Sequence, residues 1–109
     1  ALRNMMVNLL TNAIRYTAEG GSITVSLYRE RTMVVIAVSD TGMGIPSHEL
    51  PHIFKRFYRV DKARSREAGG SGLGLAICQH IAHGHGGTIQ VESQVNRGST
   101  FRVRFPLWG

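Results

Sequence analysis

Apolar residues recur at helical spacing over the first sixteen positions: Leu2, Met6, Leu9 and Ala13 form a stripe that Met5, Leu10 and Ile14 widen. The spacing predicts an amphipathic helix. Ala1-Leu2-Arg3 holds no Ser, Thr, Asp or Asn ahead of the stripe, so the helix starts without a cap, as expected of a chain cut from a longer parent. Thr17 to Ser22, with Gly20-Gly21, ends it. The β-branched alternation from Ile23 to Tyr28 predicts a strand, and Met33 to Ser39 a second, joined as a hairpin by the polar turn Arg29 to Thr32. Ser47 is expected to cap a short helix running through Ile53, with Glu49 in its first turn. Phe54 to Gly72 lacks sustained periodicity and is long for a connection in so small a chain. Helical patterning resumes from Leu73 to about Ala82 and ends near Gly84, and Thr88–Ser93 and Ser99–Phe105 read as strands around a turn at Asn96-Arg97-Gly98. Four strands and two substantial helices predict an α+β fold of one sheet layer and one helix layer.

A length of 109 residues allows one core, hence one domain over 1–109. With 42% hydrophobic and 18% charged residues the composition is globular. The longest strictly apolar run, Met33 to Val38, is far too short to cross a bilayer, and no stretch has the succession of a signal peptide. Cys78 is alone and cannot close an internal disulfide. The net charge of +6 attracts polyanions, whether nucleic acid, an acidic membrane or a nucleotide's phosphates. Much of it sits in one segment, where Lys55, Arg56, Arg59, Lys62, Arg64 and Arg66 face only Asp61 and Glu67.

Three motifs could carry chemistry. Asn8 and Asn12 stand one helical turn apart, with Arg15 close to their face; two amide oxygens suit Mg²⁺, and the guanidinium suits phosphate. Asp40-Thr41-Gly42-Met43-Gly44 follows a strand directly; a carboxylate accepts only and selects an exocyclic amine such as that of adenine, while glycines let backbone approach a flat ring. Gly70-Ser71-Gly72-Leu73-Gly74-Leu75 opens a helix whose amides could cradle phosphate, yet it is neither a Walker loop nor a dinucleotide fingerprint. Taken singly, a solvated helix face, a tight turn and an ordinary helix entry account for each. His80, His83 and His85 fall where a helix dipole favours histidine and have no Cys or acidic partner at ligand spacing. Cys78 lies within an apolar helix segment and reads as core.

In order, however, these pieces resemble the ATP-binding catalytic domain of bacterial sensor histidine kinases. The matching stretches are Asn8 to Thr17, Asp40 to Pro46, Ile53 to Asp61, Gly70 to Ile77 and Gly98 to Phe101, which together span nearly the whole chain. The resemblance implies the fold shared with DNA gyrase, mismatch-repair ATPases and heat-shock chaperones, the Bergerat ATP-binding fold: a two-layer sandwich of a mixed, mostly antiparallel sheet with helices on one face and ATP in the gap. It implies Mg²⁺ at Asn8 and Asn12, Arg15 near the phosphates and Tyr16 flanking the nucleotide. Asp40 would read adenine, with Gly42, Gly44 and Ile45 beside it and the Thr100 hydroxyl on the adenine side. Arg56 and Arg59 fall in the family's lid segment, where an arginine reaches the γ-phosphate, and Gly70, Gly72, Leu73, Gly74 and Leu75 would form the hinge and phosphate turn.

Hydrolytic relatives place a Glu four residues before the Mg²⁺-binding Asn, as the base that activates water. Here that position is Asn8, and an amide cannot take the proton. ATP held for transfer to a histidine is therefore favoured over ATP consumed by water. The acceptor His, followed by an acidic residue on a dimerisation helix, has no match, since His48 and His52 sit in the loop after the Asp-Gly motif. The resemblance thus implies a separate dimerisation and phosphoacceptor domain, a response regulator served through a homodimeric parent, and a cytoplasmic location beneath an inner-membrane sensor. An anti-sigma-type serine kinase shares the Asn, Asp-Gly and Gly-rich elements, although Arg56-Phe57-Tyr58-Arg59 favours the sensor kinases. A basic nucleic-acid module would want aromatics interleaved with charges on a sheet face, so no nucleic-acid partner is expected.

Overall fold

Periodicity alone places most of the elements found in the computed structural model, which describes residues 2–58 and 74–106. The first helix, α1, is Leu2–Tyr16; it buries Leu9 and Ala13 of the predicted stripe together with Met5 from its edge, while Leu2 and Ile14 are exposed. Strands β1 (Ile23–Glu30) and β2 (Met33–Asp40) form the expected hairpin, whose loop tightens to Arg31-Thr32 with Arg31 at φ +56°. The second helix, α2, is Gly74–Gly84, followed by β3 (Thr88–Gln94) and β4 (Gly98–Pro106). The sheet order is β1-β2-β4-β3, and all three described strand pairs are antiparallel. It is an α+β sandwich with both helices on one face.

The expected helix from Ser47 to Ile53 contracts to a single 3-10 turn, Leu50–His52. The capping position is Glu49, and its side chain makes no cap bond. Pro51 supplies the reason, because it has no N–H to continue an α-helical ladder.

The core lies between the helices and one sheet face. Met5, Leu9 and Ala13 of α1 and Cys78 and Ala82 of α2 meet Val38, Ile89, Phe101 and Val103 of the sheet, and Ile45 and Ile53 join from the connection after β2. The Cys78 thiol is fully buried, donates to the Met5 carbonyl at 3.5 Å, and is pushed up to about 12 by burial. On the opposite face Val35 and Ala37 are also buried, in register with Arg104 and Arg102. Ion pairs from Arg102 to Glu92 and from Arg104 to Glu30 hold those side chains in place. The exposed face is thereby closed by charged residues, while the helix face keeps the polar groups at the end of β2.

Candidate functional site

The polar site is built where β2 runs out. Asp40, its last residue, is 8% exposed. One carboxylate oxygen, Oδ1, accepts the Gly42 N–H at 2.9 Å and the Ser99 N–H at 3.3 Å. Two backbone donors on one oxygen fix the carboxylate plane and leave Oδ2 with no hydrogen bond among the described residues. That arrangement suits an acceptor waiting for a ligand donor, and it fits an adenine amine.

The loop after Asp40 is wedged rather than merely bent. A Cβ at Gly42 would lie 2.1 Å from the Tyr16 carbonyl oxygen, and one at Gly44, which sits at φ +73°, would lie 2.0 Å from the Gln94 carbonyl oxygen. Each glycine therefore has a packing reason in the protein itself, beyond the close approach to a ring that the sequence suggested. Backbone bonds add to the seating: Met43 N–H donates to the Tyr16 carbonyl at 3.2 Å, and Asn96 N–H donates to the Met43 carbonyl at 2.8 Å. Ile45, buried in the core, is the loop's far anchor.

Parity along β4 decides which hydroxyl shares the site. Asp40 registers with Ser99, and Ser99 with Ser93 on β3, so the three form one row across the sheet. Thr100 registers instead with Ser39, and their hydroxyls bond to each other at 2.6 Å. Successive strand residues point to opposite faces. The structure thus brings Ser99 to Asp40 and sets Thr100 on the other face, a correction to the hydroxyl expected on the adenine side. Two residues missed in the sequence, Ser93 and Ser99, could have been found only by fixing the register of β4 against Asp40.

On α1, Asn8 and Asn12 are partly buried and share a face by helical geometry. Gly74, at the start of α2, approaches Asn8 closely enough that a Cβ there would stand 3.4 Å from the Asn8 Oδ1. The helix entry and the first asparagine are therefore neighbours; the amide oxygens of Asn8 and Asn12 are the hard donors that suit Mg²⁺. Leu75 is partly buried against the core. Arg15 and Tyr16, with Thr17, Ala18, Thr41, Gly42, Met43 and Asn96, line a cleft of about 360 Å³ beside the Asp40 loop. Thr17 Oγ1 is buried in that lining with no hydrogen-bond partner among the described residues. Arg56 is exposed beyond the 3-10 turn. Arg59, Gly70, Gly72 and Leu73, with most of the basic cluster, lie outside the described residues. Among the described residues no three His, Cys, Asp or Glu side chains group as metal ligands, and no helix is long and apolar enough to cross a membrane.

Comparison with known proteins bears on the family and the fold. The profile of the histidine kinase-, DNA gyrase B- and HSP90-like ATPases matches residues 1–109. The chain is 46% identical over 107 residues to the sensor histidine kinase RppB of Synechocystis sp., covering 98% of this chain and 24% of that protein. In structure it is similar to the mycobacterial sensor histidine kinase MprB, with a TM-score of 0.84 and 32% identity over 94% of this chain and 70% of that one. It is also similar to full-length ShkA in complex with AMPPNP, with a TM-score of 0.81 and 29% identity over 96% of this chain and 21% of that one. The chain spans about a quarter of RppB.

Proposed function

The chain belongs to the family of histidine kinase-, DNA gyrase B- and HSP90-like ATPases, and from that premise we propose that it binds Mg-ATP and supplies the γ-phosphoryl group to a histidine on a separate dimerisation domain. The observation that carries the nucleotide assignment is the Asp40 carboxylate, held by two backbone N–H groups through Oδ1 and open at Oδ2 to an exocyclic amine. Asn8 and Asn12 would hold Mg²⁺, which supplies charge neutralisation on the phosphate oxygens. Arg15, on the cleft beside the loop, contributes fixed positive charge toward the same phosphates, joined by Arg56 and Arg59. Tyr16, Gly42, Gly44 and Ile45 shape the base and sugar side, and Gly70, Gly72, Leu73, Gly74 and Leu75 the phosphate side.

An amide at Asn8, where hydrolytic relatives have a carboxylate base, supports transfer over hydrolysis. The histidine acceptor is supported by the sensor histidine kinases to which the chain is similar; the response regulator and a homodimeric, membrane-anchored parent with this domain on its cytoplasmic side complete the proposal. The experiment is a domain exchange: residues 1–109 replace the matching segment of RppB, and histidine phosphorylation is followed with Mg-ATP. Phosphohistidine in the hybrid supports the proposal, whereas a hybrid that binds ATP and leaves its histidine unmodified contradicts it. Within the chain, Asn12→Ala should weaken ATP binding in Mg²⁺ far more than in a chelator. Equal losses in the two buffers would remove Asn12 from the metal site.

A further inference from the structure

Ser93 lies on β3, two strands away from Asp40, yet its single hydroxyl touches three partners. Ile45 N–H stands 2.7 Å from its oxygen, the Gly98 carbonyl 3.0 Å and the Ser99 hydroxyl 2.8 Å. A serine has one proton to give and two lone pairs with which to accept. The Gly98 carbonyl can only accept, so it takes the Ser93 proton; the Ile45 amide can only donate, so it uses one lone pair. The remaining lone pair then accepts from Ser99, which makes Ser99 the donor. Ser93 is thereby saturated, and the Ser99 hydroxyl, opposite Asp40 in the ladder, is left only with acceptor capacity.

We propose that Ser93 is a positioning residue for base selection: it fastens the end of the Asp40–Ile45 loop to the β3–β4 hairpin and orients the Ser99 hydroxyl, so that the Asp40 face offers acceptors only. The selection half of this proposal rests on the ATP-binding reading above. A face of acceptors favours a purine with an exocyclic amine at the position where guanine carries a carbonyl, because two acceptors meeting there leave buried polar groups unpaired. Without Ser93 the Ser99 proton is released toward the Asp40 carboxylate or a base carbonyl, and either outcome weakens the preference. The Ile45 amide also loses its acceptor, which loosens the loop.

Two readouts on the 109-residue chain separate the halves. The first is amide hydrogen exchange at Ile45 without nucleotide: Ser93→Ala should speed it about tenfold, and Ser93→Thr, which keeps the hydroxyl, should hold it near the native rate. The second is calorimetric affinity for Mg-ATP and Mg-GTP. Ser93→Ala should lower ATP affinity and narrow the ATP-over-GTP preference by about tenfold, with Ser93→Thr again close to native. Ser99→Ala should narrow the preference while leaving Ile45 exchange unchanged, and it keeps the idea testable if Ser93→Ala does not fold. Unchanged Ile45 exchange in folded Ser93→Ala overturns the clamp, and equal losses for ATP and GTP overturn the selection role. A native chain that binds neither nucleotide defeats the ATP reading and the selection half with it, while the exchange arm still decides the clamp.

Discussion

Two neighbouring stretches of the chain are held in opposite ways. Asp40 to Ile45 is seated by backbone: it touches the end of α1 through Tyr16, β3 through Gln94 and Ser93, and the β3–β4 turn through Asn96. Glu49 to Tyr58 makes only local backbone turns, such as His52 N–H to the Glu49 carbonyl and Tyr58 N–H to the Lys55 carbonyl, and is otherwise held by side chains. Tyr58 donates to Glu49 Oε1 at 2.6 Å, Lys55 Nζ stands 2.7 Å from His52 Nδ1, and the His52 and Tyr58 rings lie 5.5 Å apart. Only Ile53, and in part Leu50, Phe54 and Tyr58, tie this stretch to the core. The difference is one of function as well as packing. On the proposed function, a group that reads a base by hydrogen-bond polarity must be in place before the ligand arrives, whereas a stretch proposed to lead toward phosphate-side arginines can be held by contacts that change easily.

The largest effect should come from crowding the seated loop. Gly44→Ala places a methyl 2.0 Å from the Gln94 carbonyl at a φ of +73°, and it should cost about 3 kcal/mol or more in denaturant unfolding. Gly84→Ala, with nothing within 4 Å of the new methyl, should stay within about 0.5 kcal/mol of the native value. Similar costs at the two glycines would erase the contrast.

The side-chain-held stretch should respond the other way. Phe57 is 68% exposed and sits at φ +64°, a left-handed conformation that a bulky residue adopts at a cost. Phe57→Asn should therefore raise stability by about 0.5 kcal/mol, since asparagine tolerates that conformation. A loss of about 1 kcal/mol or more would show that Phe57 makes stabilising contacts despite its exposure.

The smallest effect is a titration. The hydrogen bond to Glu49 raises the Tyr58 pKa above its ordinary 10.0, with burial and the Glu49 charge adding to it. A raised pKa means the protonated phenol is favoured in the folded state. Its contribution is complete below the ordinary value and is lost as pH climbs through the raised one. Ultraviolet titration should show a tyrosine ionising above the ordinary range, and Tyr58→Phe or Glu49→Ala, which takes away the acceptor, should remove that late step. A late step that survives both changes belongs to another residue.

Much of this was legible in the sequence because it depends on period. The α1 stripe, the hairpin with its polar loop and the β3–β4 turn at Asn96 to Gly98 all follow from alternation or helical spacing, and Asp40 at a strand end followed by glycines marked the site. Parity was harder. Ser99 and Thr100 are both small hydroxyl residues, and choosing between them requires the register of β4 on β2, a nonlocal fact fixed by packing Val38 on Phe101. Ser93 gave no signal, since its role comes from Ile45 and Gly98 reaching it from other segments. Gly42 and Gly44 were visible as loop glycines, but not that Tyr16 and Gln94 carbonyls demand them. The short helix failed locally: Pro51 suits a first turn and offers no N–H to extend it.

The central claim, that Asp40 reads adenine, is tested most directly by calorimetric titration of Mg-ATP into the native chain and Asp40→Asn. The amide is nearly isosteric, keeps a carbonyl oxygen for the Gly42 and Ser99 N–H groups, and puts a donor in place of Oδ2, the proposed acceptor for the base. The expected result is an unchanged melting temperature with ATP affinity lowered on the order of a hundredfold or more. Native ATP affinity in Asp40→Asn would contradict the account.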